Sequence, residues 1–95
     1  VSINFTKAIV GQLQRDIADL ESQSLSLKNK QDKAASKIKQ VQRDMKLSQS
    51  HGDLSGKMSR VSKLNEEIKT AARAQAELAK QLTAKRALLK QHQSG

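Results

Sequence analysis

The stretch Leu47-Ser48-Gln49-Ser50-His51-Gly52-Asp53-Leu54-Ser55 gathers three serines, a histidine and an aspartate into nine residues. Hydroxyl, imidazole and carboxylate are the groups of nucleophilic acyl transfer. A working triad, however, is brought together from distant segments beside a cleft and an oxyanion hole. Here the groups are neighbours in sequence, and no G-x-S-x-G elbow is present. Each residue also has a simpler role where a chain reverses. Gly52 is suited to the positive φ that closes a helix. Asp53 is placed to cap a following helix with its carboxylate near the positive helix end. Ser48 and Ser50 are turn formers. His51 and His92 stand far apart, and no carboxylate cluster, P-loop or dinucleotide fingerprint accompanies them. The sequence therefore predicts a non-enzymatic chain, without catalytic, cofactor-binding or metal residues.

Composition points the same way. A chain of 95 residues forms one domain with a modest core. Phe5 is the only aromatic, and Pro, Cys, Trp and Tyr are absent. Globular enzyme cores draw much of their buried area from aromatics. Leu, Ile, Val and Ala set among Lys, Gln, Glu and Ser are instead the material of long exposed helices. Lack of cysteine suits a cytoplasmic chain. The apolar patch within VSINFTKAIVGQLQRD is too short for a signal peptide or a membrane span. A soluble, cytoplasmic protein without a transmembrane segment is expected. The net charge of +9 is spread evenly along the chain. Residues 1–47 hold nine Lys/Arg against five Asp/Glu, and residues 48–95 hold nine against four. Such a surface attracts nucleic acid or an acidic membrane without specificity. Stacking aromatics, a helix-turn-helix and a basic-zipper block are all missing, so a polyanion partner is only weakly suggested.

What must hold the turn in place is legible in the apolar periodicity. Val10, Leu13, Ile17, Leu20, Leu27, Ala34, Ile38 and Val41 recur in steps of three and four, with polar lapses at Ser24 and Gln31. A second series runs through Val61, Leu64, Ile68, Ala71, Leu78, Leu82 and Leu89, with Gln75 and Lys85 in its line. Both have helical period, and nothing alternates as a strand would. Helix 1 is predicted over about 6–48, a turn over about 49–53 and helix 2 over about 54–91. Folding the chain back at residue 51 places Val41 opposite Val61, Ile38 opposite Leu64, Ala34 opposite Ile68 and Leu20 opposite Leu82. Each layer then sets an a position against a d position, as an antiparallel coiled coil requires. The predicted fold is all-α, an antiparallel two-helix coiled-coil hairpin. Gln31 and Gln75 fall in the seam as register-setting polar layers. Lys85 is expected to snorkel over Ile17.

A lone hairpin buries only narrow stripes, so further packing is expected. Ala72, Ala76, Ala79 and Ala87 recur on a neighbouring face of helix 2, near Leu88; Ile9 and Leu25 lie off the seam on helix 1. Phe5, the sole aromatic, is the best anchor. These residues make Phe5, Ile9, Leu25, Ala72, Ala76, Ala79 and Leu88 the candidate face for self-association, with two hairpins joining as a four-helix bundle. A small adaptor or chaperone docking on a globular partner is a further possibility.

Residues from Ala35 to about Lys90 carry a likeness to a known family. They read ASKIKQVQRDM, then KLSQSHGDLSGKMSRVSKLNEEI, then AELAKQLTAKRALLK. This resembles the N-terminal helical segment of bacterial proteins with a Toll/interleukin-1 receptor (TIR) domain. There a short Ser/Thr-rich turn separates two Lys-rich helices, and the second opens with a small polar cap before L-x-x-K-apolar. Asp53-Leu54-Ser55-Gly56-Lys57-Met58 matches that opening, except that the family more often has Ser or Thr in place of Asp53. The resemblance implies that the chain assembles an effector in antiphage defence. It carries over no NAD-cleaving activity, because no glutamate here sits in a TIR catalytic setting.

Overall fold

A computed structural model describes residues 3–94. They form two helices, α1 (Ile3–Leu47) and α2 (His51–Ser94), folded back on each other as an antiparallel hairpin. No strand occurs among the described residues. Leu, Ala, Lys, Gln, Arg and Glu dominate both segments, and all of them lose little freedom in a helix. With no proline anywhere to break them, the helices extend about three residues beyond the predicted outer ends.

The larger difference is at the reversal. The link is only Ser48-Gln49-Ser50, and α2 already begins at His51. Gly52 therefore does not turn the chain. Neither it nor any other described glycine has a positive φ, and it lies in the first turn of α2. Asp53 is likewise not the N-cap. Ser50 fills that position: its carbonyl accepts Leu54 N–H at 3.0 Å, and its Oγ accepts Asp53 N–H at 3.4 Å. Asp53 stands three residues on, where the acidic member of a capping box belongs. The physical reason is that a serine cap satisfies the orphan amides two residues before the glycine is reached. On the other side, Ser48 N–H bonds back to Met45 C=O at 3.3 Å and closes α1 with a tightened last turn.

The chain forms two compact units. The turn unit is Leu27–Ala74; the terminal unit is Val1–Ser26 with Gln75–Gly95. In the terminal unit the buried residues are Leu13, Ile17, Leu20, Leu78 and Leu82, with Val10 and Leu89 half-buried. In the turn unit they are Ala34, Val41, Leu64 and Ala71, while Leu27, Ile38, Val61 and Ile68 are half-buried. So the terminal unit buries large side chains, and the turn unit buries mostly small ones and leaves its bulkier ones partly in water.

Each unit contains one polar layer. Gln31 Nε2 donates to Ile68 C=O at 3.3 Å in the turn unit, and Gln75 Nε2 donates to Ser24 C=O at 3.2 Å in the terminal unit. Both carbonyls also serve their own helices, and the second lone pair takes the glutamine. In both bonds the residue numbers add to 99. For the Asp16–Lys85 contact they add to 101. The reversal is therefore centred near residue 50, inside the serine link.

Candidate functional site

The serines and the aspartate of the turn serve the cap. Ser48 Oγ donates to Asp53 Oδ2, and Lys57 Nζ approaches the same oxygen at 2.8 Å. These two hydrogen bonds, Lys57 first, hold the Asp53 carboxyl below its ordinary value of 3.8. His51 is exposed and bonds neither serine. The serine hydroxyl thus meets a carboxylate rather than an imidazole. Among the described residues, no group of three or more His, Cys, Asp or Glu could hold a metal ion.

Candidate surfaces remain in both units. In the terminal unit Phe5 is 57% exposed, Leu25 60% and Leu88 44%; Ala76 and Ala79 are also exposed, and Ile9 is half-buried. Ala72 is exposed but falls in the turn unit. The candidate self-association residues do not form one face. Leu88 lies about two and a half helical turns from Ala79, which places it across α2 from the alanines. Leu25 lies about four and a half turns from Ile9, across α1. An ion pair between the helices marks each flank. Asp16–Lys85, 3.4 Å, lies on the flank of Ile9 and Leu88; Glu21–Arg86, 3.8 Å, lies on the flank of Leu25 and Ala79. Lys85 therefore does more than snorkel. Its bond, after that of Gln12, helps hold the Asp16 carboxyl below 3.8.

In the turn unit, Gln42 and Met45 of α1 face Met58, Val61 and Asn65 of α2 across an open groove. Gln42 is shared with a second depression lined by Lys39, Arg43 and Lys46. A basic ridge thus borders the groove. Met58 is 60% exposed, and Leu47, which ends α1, is 83% exposed, the most of any large apolar residue described.

The fold also redistributes charge. Lys and Arg outnumber Asp and Glu twelve to five in the turn unit, a net +7, and six to four in the terminal unit, a net +2. Among the described residues, the cations of the turn unit that form ion pairs are Lys57 and Lys69, both with acids on their own helix. Counting along the chain missed this contrast, because each sequence half contributes to both units. Leu47 and Met58 were missed because neither sits in the seam periodicity.

No family model, curated protein or solved structure matches the chain. Among the described residues, no helix is long and apolar enough to cross a membrane.

Proposed function

We propose that the chain is a non-enzymatic assembly module that joins copies of itself through its terminal unit. The observation behind this reading is that Phe5, Leu25 and Leu88 stay exposed in the unit whose net charge is only +2. Large exposed apolar side chains are natural contact anchors, and weak charge lets like chains approach. The +7 of the turn unit opposes a meeting of copies there. Two apolar flanks, one with Phe5 and Leu88 and one with Leu25 beside Ala76 and Ala79, give each hairpin two places to receive another. The small alanines permit close helix approach on the second flank. The resemblance to the helical segment of TIR-domain proteins supplies a context, in which such a module gathers effector domains.

Sedimentation equilibrium over a range of concentrations tests the proposal. The expected result is a concentration-dependent dimer or higher oligomer. Replacing Phe5 and Leu88 together with Ser, or Leu25 with Ser, shifts it toward monomer while helicity persists. A fully helical monomer at every concentration overturns the proposal.

A further inference from the structure

We infer that the turn unit is a peripheral docking tip for an acidic lipid surface, a role separate from self-association. Two independent features meet there. The first is charge. Residues 33–52 hold five Lys/Arg and a single acid, Asp44. On α1, Lys39, Arg43 and Lys46 follow one another at helical spacing along one side, lining one depression. None of the ion pairs among the described residues includes them, so their charge is uncompensated within the molecule. The nearby carboxylate of Asp53 is occupied by Ser48 and Lys57.

The second is exposed apolar side chains in the same unit. Leu47 lies one turn beyond Arg43 and is almost wholly in solvent. Met58 is exposed and lines, with Met45 and Val61, the groove that adjoins the basic ridge through Gln42; its α2 wall also carries Asn65 and Glu66, the latter neutralised by its ion pair with Lys69. Flexible aliphatic side chains beside Lys and Arg match the boundary between lipid headgroups and acyl chains. The long cationic side chains can reach the headgroups while Leu47 and Met58 enter the layer beneath.

A nucleic acid accounts for only half of this. Phosphates would satisfy the ridge, but the exposed Leu47 and Met58 offer nothing to a duplex backbone, and the turn unit has no aromatic for bases to stack on. A second copy of the chain would set one +7 unit against another. A lipid surface uses both the charge and the apolar side chains, and attachment would be peripheral.

The test is co-sedimentation of the full 95-residue chain with vesicles of equimolar phosphatidylserine and phosphatidylcholine, and with phosphatidylcholine alone. Binding is expected to the acidic vesicles only, and to weaken with salt. Arg43→Gln with Lys46→Gln should reduce it by on the order of tenfold, since each cation near an anionic surface contributes several-fold. Leu47→Ser with Met58→Ser should reduce it comparably, yet leave binding to a mixed-sequence DNA duplex unchanged. All four positions are exposed, and circular dichroism verifies that each variant remains helical. Failure to bind acidic vesicles overturns the proposal. So does binding that is indifferent to the Leu47 and Met58 replacements, because charge alone would then account for it.

Discussion

The two units share a topology and nearly a length, yet they are built differently. The terminal unit buries Leu13, Ile17, Leu20, Leu78 and Leu82, and two ion pairs cross between its helices. The turn unit buries Ala34, Val41, Leu64 and Ala71, and among the described residues no ion pair crosses between its helices. Large side chains remove more apolar area from water per layer, so hydrophobic stabilisation is concentrated in the terminal unit. The turn unit has less of it and a net +7 of mutual repulsion to withstand. Stability and interaction potential are therefore unequally shared: one unit holds the hairpin together, and the other keeps cationic and apolar groups unspent.

That contrast breaks most visibly through the cores. Leu82→Ala should cost about 3 kcal/mol, within the usual range for a buried leucine. Val41→Ala should cost about 1.5 kcal/mol, at about 0.8 kcal/mol per methylene-sized group lost. Urea midpoints at one fixed protein concentration compare them. Equal costs would remove the distinction between the units.

The link sharpens the comparison with a smaller effect of two signs. Ser50→Ala removes the N-cap and should destabilise by about 1 kcal/mol. Gly52→Ala should stabilise by about 0.5 to 1 kcal/mol, because the glycine is helical and an added Cβ would meet only Ser50 Oγ at 3.9 Å. Thermal melts of both variants decide it. A loss of stability in Gly52→Ala would restore a turning role to that residue.

The smallest effect is in acid. Asp16 in the terminal unit and Asp53 in the turn unit are carboxylates held below 3.8. A lowered folded-state value means that the charged form stabilises the fold. Its contribution is complete above 3.8 and is lost as pH falls below that value toward the folded-state one. Helicity followed from pH 7 down to about 2 should decline in that window. The decline should be shallower in Asp16→Asn and in Asp53→Asn, which lack the group that titrates.

The hairpin itself could be read in advance because Leu and Ile at steps of three and four leave few alternatives. The same holds for Gln31 and Gln75, whose polar character inside an apolar series marked them as special. The reversal was harder. Gly52 and Asp53 are the conventional punctuation of a helix start, but Ser50 reached the orphan amides first, and local competition of this kind has no signature in composition. The candidate association residues were only partly legible. The exposure of Phe5, Leu25 and Leu88 follows from lying off the seam, but whether Leu88 shares a face with Ala79 depends on counting turns around α2. Least visible was the charge contrast, which exists only after folding sorts the two even halves into uneven units.

The paired glutamine bonds have a consequence for error. Both acceptors are main-chain carbonyls, those of Ile68 and Ser24. Every residue of the facing helix carries such a carbonyl, so a slide of α2 by one heptad, roughly 10 Å, brings another within reach of each amide. The bonds keep the part-buried amides satisfied in either alignment without choosing between them. Register is therefore left to the side chains of the seam, and the two glutamines behave like a clasp that shuts at any notch.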